Sequence, residues 1–324
     1  MFPPFGRSRF VRPPRLPSGG FPPPFLPPEK RLRLLRFSGI AISPASGYNI
    51  AIKNAAFRRQ MNKKERGSME FNAKEQLPGL IDWMRRQMAA CGGKTAVVGI
   101  SGGKDSSVTA ALCVRAYGRE NVLGVLMPDG VQPDIDYSNG LVDVLNLRHI
   151  TFNIHGGTAG ILEEMERVGM TPSRQTKVNL PSRMRMATLY AVAQSVEGGI
   201  VLNTSNLSED WVGYCTIYGD SAGAFSPLGM YTTEEVIALG RELGLPEKFL
   251  LKPPSDGLTG LTDEDNLGFS YHAVNEYIRA GKADPEIRAQ IDRKHAASRF
   301  KFQTMPLYHN GLPIVIEDGT DYYK

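Results

Sequence analysis

The sequence predicts an α/β domain built on a doubly wound parallel sheet flanked by helices. Three observations predict it. Short apolar runs of strand length alternate with longer stretches of helical periodicity. A glycine-rich turn joins the first such run to the helix after it. The composition, 41% hydrophobic and 22% charged over 324 residues, is that of an ordinary globular chain able to bury a sizeable core.

The organised pattern starts near Asn72. Asn72 and Glu75 have capping-box spacing, and Leu77, Leu80, Ile81, Met84 and Met88 fall on one helical face. Gly92-Gly93 stops that helix. The run Thr95–Ile100 reads as a buried strand, as do Val122–Met127, Ile150–Ile154 and Gly199–Asn203. Helical patterns between them cover Ser106–Tyr117, Tyr137–Leu147 and Leu180–Val196. Two further helices are expected at Thr233–Leu243 and Asp263–Ala280, and no internal repeat is visible.

Charge divides the chain unevenly. Residues 1–68 hold 14 Lys+Arg and 2 Asp+Glu, whereas the remainder holds 24 and 31, a net of −7. The first 28 residues include ten prolines and have neither helical nor strand period. We therefore expect residues 1–68 to be a disordered Pro/Arg-rich extension preceding a domain at 69–324, with Met61 or Met69 as alternative starts. A transit segment or a nucleic-acid arm is the competing reading, though the prolines oppose an amphipathic helix. The acidic domain itself gives no basis for nucleic-acid binding. No run of about 18 apolar residues predicts a membrane span. Cys91, Cys113 and Cys215 are far apart with no CxxC pair, which argues against a disulfide framework or zinc site and for a cytoplasmic setting.

The most informative stretch is Gly99-Ile100-Ser101-Gly102-Gly103-Lys104-Asp105-Ser106-Ser107. It follows a strand and opens a helix, where unpaired N–H groups and the helix dipole favour an anion. The serines add hydroxyl donors. Asp105 repels phosphate unless a magnesium ion lies between them. A merely structural glycine turn capped by serine is the bland alternative. The spacing is not that of a Walker A motif, since Val98 stands where its first glycine belongs.

The string SGGKDS resembles the loop of the N-type ATP pyrophosphatases, which split ATP between its α and β phosphates. Downstream strings are similar to NAD synthetases in particular. They are Asn179 to Met186 (NLPSRMRM), Val201 to Glu209 (VLNTSNLSE) and Gly213 to Asp220 (GYCTIYGD). Lys252-Pro-Pro-Ser255, Leu267-Gly268 and the stretch His295–Pro306 continue the likeness, which runs from about Asn72 to Pro306.

The resemblance implies an adenine nucleotide alpha hydrolase-like fold and the ATP-dependent amidation of deamido-NAD by ammonia. It implies that Gly99 to Ser107, Thr204 and Ser255 contact ATP. Asp105 and Glu209 would act in catalysis as magnesium ligands, and Arg183, Asp220 and Lys301 would contact deamido-NAD. Taken alone, Glu209 and Arg183 read as solvated helix charges, and Ser255 equally well as an N-cap. The family is homodimeric, so a homodimer is expected. Three departures stand out: Ile217 and Thr233 replace usual lysines, and Ala224 replaces a usual aspartate. Only 71 residues precede Asn72 and they hold no cysteine. A glutamine-hydrolysing domain is not expected there, while a separate glutaminase partner stays open. Another enzyme of the same superfamily is the nearest rival reading, such as the GMP synthetase module or a tRNA thiolase, the latter needing reactive cysteines.

Overall fold

The computed structural model describes residues 71–252 and 262–308. The basic extension and Ser255 lie outside the described residues. Four parallel strands form one sheet: β1 (Thr95–Gly99), β2 (Val122–Leu126), β3 (Arg148–Thr151) and β4 (Gly199–Val201), in the order β3-β2-β1-β4. The chain thus steps outward from β1 to β3, then returns to place β4 on the other side of β1.

Alternation of side chains along the strands builds three layers. Ala96 and Val98 of β1 and Val122 and Leu126 of β2 point to one face. They meet α1 (Ala73–Ala90), α2 (Lys104–Tyr117), α3 (Ile135–Leu145), α7 (Thr233–Glu242) and α8 (Glu247–Leu250). Val97, Leu123 and Val125 point to the other face, where α5 (Arg174–Gln194) supplies Val192 and Ala193. Leu112, Leu239 and Phe249 are fully buried. Each such side chain contributes on the order of 1.5–3 kcal/mol. A third cluster, Val212, Leu267, Phe269, Tyr271, Val274 and Ile291, joins α6 (Leu207–Val212), α9 (Asp263–Leu267), α10 (Tyr271–Ala280) and α11 (Pro285–Ser298). No helix among the described residues is long and apolar enough to cross a membrane.

Most expected elements are present, with four corrections. Asn72 caps α1 by accepting from the Glu75 N–H, but the Glu75 carboxylate accepts from the Asn72 side-chain amide rather than from its backbone N–H. Pairing of β3 begins at Arg148 instead of Ile150, because this is an edge strand with largely exposed side chains and hydrophobicity does not mark it. The N–H groups of Phe152 and Ile154 still donate to the Leu126 and Pro128 carbonyls at 2.8 and 2.9 Å. α5 starts at Arg174, capped by Ser173, and continues through Pro181. The single helix expected over Asp263–Ala280 is two, broken where Gly268 adopts φ +83°. α4 (His155–Arg167), α6, α8 and α11 have no counterpart among the expected elements.

Candidate active site

The reversal of strand order on either side of β1 is a topological switch point, where ligands settle in open α/β sheets. The loop after β1 and the loop after β4 face each other there. α2 starts at this point with Gly103 as N-cap and no side-chain cap bond. Its first-turn N–H groups therefore present the positive end of a 14-residue helix.

The loop is braced from within. Ser101 Oγ accepts from the Gly103 N–H at 3.3 Å and shares a 3.0 Å bond with Ser106 Oγ. The Ser106 and Ser107 hydroxyls both donate to the Gly103 carbonyl, at 3.1 and 2.7 Å. Ser107 is fully buried, so its hydroxyl fixes the shape of the loop. Gly99 closes β1, and the buried Ile100 donates its N–H to the Val125 carbonyl at 2.9 Å, tying the loop to β2. Gly102 has φ +73°, and a Cβ there would lie 2.6 Å from the backbone nitrogen of Ser138 in α3. Only glycine fits that approach.

Lys104, Asp105 and Glu209 form one nearly buried cluster. Lys104 Nζ donates to Asp105 Oδ2 at 2.9 Å and to Glu209 Oε1 at 3.1 Å. Burial works against the lysine charge, but the two carboxylates outweigh it and hold the ammonium protonated above the usual lysine range. Burial raises the Glu209 carboxyl, against the pull of Lys104 and with Asp105 adding to the rise. Asn206 joins the two loops. Its Nδ2 donates to Asp105 Oδ1 at 2.9 Å, while its Oδ1 caps α6 by accepting from the Ser208 and Glu209 N–H groups. Thr204 lies half-buried two residues earlier in the same loop.

The two carboxylates converge on one cation, here Lys104 Nζ, and both present hard oxygen donors. That donor chemistry fits magnesium, which takes one or two carboxylates and completes its shell with phosphate oxygens and water. Among the described residues no group of three or more His, Cys, Asp or Glu side chains could hold a metal.

Arg183 and Lys301 border a single loop, residues 213–220, which Asp220 closes. Arg183 Nε donates to the Ile217 carbonyl at 3.3 Å. Asp220 Oδ1 accepts from the Ser182 hydroxyl and the Thr216 N–H at 2.9 and 2.7 Å. Lys301 Nζ donates to the Gly213 and Cys215 carbonyls at 2.8 and 2.7 Å. Arg185, on the same helix as Arg183, is turned inward and donates to the Met127 carbonyl at the end of β2. Ala224 is exposed. Thr233 is buried, and its Oγ1 accepts from Asn275 while its N–H donates to Ser208 Oγ. It thus joins a structural network.

Two residues of this site, Asn206 and Asp210, received no role from the sequence. Burial pushes the Asp210 carboxyl up to about 7, with Asp220 and Asp105 adding to the rise. Burial likewise pushes the Cys215 thiol up to about 12 and raises that of Cys113. Neither is an activated thiolate.

A family model described as NAD synthase matches residues 77–306. The chain belongs to the NAD synthase family. Its match to the NH(3)-dependent NAD(+) synthetase of Carboxydothermus hydrogenoformans is 33% identical over 238 residues, 72% of this chain and 96% of the relative. Among solved structures, the NMN synthetase from Francisella tularensis aligns with a TM-score of 0.68 at 30% identity, over 74% of this chain and all of that one. The NH3-dependent NAD synthetase from Campylobacter jejuni aligns with a TM-score of 0.61 at 27% identity, over 74% of this chain and all of that one. The family assignment gives the geometry above its chemical context: a synthetase with a glycine-rich loop at the switch point.

Proposed function

We propose that this chain converts deamido-NAD to NAD, using ATP and ammonia, through an adenylated carboxylate. The observation that carries this reading is the uncapped N-terminus of α2 set against the Lys104–Asp105–Glu209 cluster, in a chain of this family. A nicotinate carboxylate oxygen attacks the α-phosphorus of ATP, the bond to the bridging oxygen breaks, and pyrophosphate leaves. Ammonia then adds to the activated carbonyl, AMP departs with the electron pair of the C–O bond, and a proton passes to solvent.

The residues divide the work. The first-turn N–H groups of α2 and the Ser101 hydroxyl bind the phosphates. Gly99, Ile100, Gly102, Gly103, Ser106 and Ser107 hold the loop in that shape. Asp105 and Glu209 would hold magnesium, which when bound supplies neutralising charge to the phosphates. Lys104 keeps the two carboxylates together in the free enzyme, and its flexible stem lets the ammonium turn toward phosphate. Thr204 and Ser255 are assigned to ATP, and Arg183, Asp220 and Lys301 to deamido-NAD. The family likeness is what supports these assignments.

We place a second copy of the chain against α4 and α5. That side exposes Ile161, Val168, Met170, Val178 and Tyr190. Light scattering on the purified protein tests the homodimer. Residues 1–68 are read as an extension outside the catalytic domain, and the cell compartment is read as cytoplasmic.

A mononucleotide substrate, with NMN as product, is the second reading. It is favoured by the likeness to the Francisella tularensis protein and by Ala224, which lacks the usual family carboxylate. Purified protein given ATP, magnesium, ammonium and either deamido-NAD or nicotinate mononucleotide separates the two by the amide that forms.

A further inference from the structure

Lys104 is the first residue of α2, so its backbone belongs to the turn assigned to phosphate while its side chain reaches the two carboxylates. The first intrahelical bond of α2 runs from the Ser107 N–H to the Gly103 carbonyl at 3.1 Å. The N–H groups of Lys104, Asp105 and Ser106 come before it and have no helical acceptor. The Lys104 side chain is only 13% exposed. Its ammonium also lies 5.9 Å from the centre of the buried Tyr271 ring, which walls it on a further side.

The ammonium holds the oxygens that a metal ion would need. Asp105 Oδ1 accepts from Asn206 Nδ2 at 2.9 Å, and Asp105 Oδ2 accepts from Lys104 Nζ at 2.9 Å. Glu209 Oε1 accepts from the same Nζ at 3.1 Å. Both oxygens of Asp105 are therefore engaged. A metal ion that takes one oxygen from each carboxylate must displace the amide or the ammonium. Magnesium–oxygen bonds are about 2.0–2.1 Å, shorter than either ammonium contact. A dication on Asp105 Oδ2 would thus crowd the ammonium, with two like charges a few ångströms apart and little water between them. The lysine stem is flexible, and the backbone that carries it is the turn assigned to phosphate. An anion bound at that turn offers the ammonium a new partner within reach of the same side chain.

We propose that Lys104 is an internal counter-cation that keeps the Asp105–Glu209 site closed to a divalent ion until phosphate arrives. The ion then enters with the nucleotide and not before it. The inference rests on the assignment of Asp105 and Glu209 to a divalent ion in the reading above, and it goes beyond that reading in fixing the order of binding. Phosphate and the divalent ion strengthen each other's binding, and part of that coupling passes through Lys104. A lysine that merely neutralised two buried acids would leave the metal affinity of the free protein unchanged when replaced.

Manganese is titrated into the protein without nucleotide, and the free ion is followed by electron paramagnetic resonance. The parent is compared with Lys104→Gln, with Lys104→Arg, which keeps a cation, and with the double variant Lys104→Gln/Asp105→Asn. Circular dichroism checks the fold of each. The expected result is a tenfold or greater fall in the Kd for manganese in Lys104→Gln. Lys104→Arg should bind as weakly as the parent, and the double variant should lose the gain. Crystals of the parent soaked in pyrophosphate without metal need no variant, and they should show Nζ turned from Asp105 toward the anion. Unchanged or weaker manganese binding in folded Lys104→Gln overturns the gate. So does a bridging Nζ that stays on both carboxylates beside bound pyrophosphate. Tighter binding that survives in the double variant places the ion elsewhere and overturns the cation site as well. The titration needs no turnover, so it decides the gate whichever substrate the enzyme proves to amidate.

Discussion

Asn206 Nδ2 donates to Asp105 Oδ1 across 2.9 Å, a bond between the loop that follows β1 and the helix that follows β4. The two residues are 101 positions apart in sequence and meet only because β1 and β4 are neighbours. One carboxamide thereby caps α6, orients Asp105 and sets the distance to Glu209.

Replacing Asn206 should therefore cost both stability and chemistry. Loss of an N-cap alone is worth about 0.5–2 kcal/mol. For Asn206→Ala we expect a lower urea midpoint at unchanged slope, with a further drop in kcat/KM for ATP. Near-parent kinetics in the folded variant would remove Asn206 from the positioning role.

Asp105→Asn and Glu209→Gln test the cation site. Removing one preorganised charged group typically costs about 10²–10³ in rate. We expect a loss of that order in ATP–pyrophosphate exchange for each, with circular dichroism unchanged. Both variants turning over near the parent rate would end the assignment.

Gly102→Ala tests the loop. Its φ of +73° and the 2.6 Å approach to Ser138 leave no room for a methyl group. A non-glycine residue in the left-handed region costs about 1–2 kcal/mol before any clash. We expect weakened ATP binding by calorimetry together with a lower melting temperature. Full retention of both would contradict the close packing of this loop on α3.

Deleting residues 1–68 should leave turnover and melting unchanged while moving the isoelectric point to the acidic side, since the remainder carries a net charge of −7. A large fall in melting temperature on truncation would show that the segment belongs to the folded domain.

The sheet and the glycine-rich loop were legible because their signals are local. Apolar runs mark β1 and β2, which are buried on both faces. The glycines before Lys104 mark the turn into α2. β3 was displaced because an edge strand carrying Arg148, His149 and Thr151 lacks that signal. The expected α5 began only at Leu180, since proline is at home in the first turn of a helix, whereas the helix runs on from Arg174 with Pro181 in its interior. The Lys104–Asp105–Glu209 cluster could not be read from spacing at all. It depends on which loops the strand order brings together.

The central claim is tested most directly by chromatography of a reaction containing the purified chain, ATP, magnesium, deamido-NAD and ammonium, with glutamine substituted for ammonium in a parallel reaction. The account predicts NAD and AMP in equal amounts with ammonium and none with glutamine. Absence of both products with ammonium, or efficient NAD formation from glutamine free of ammonia, would contradict it.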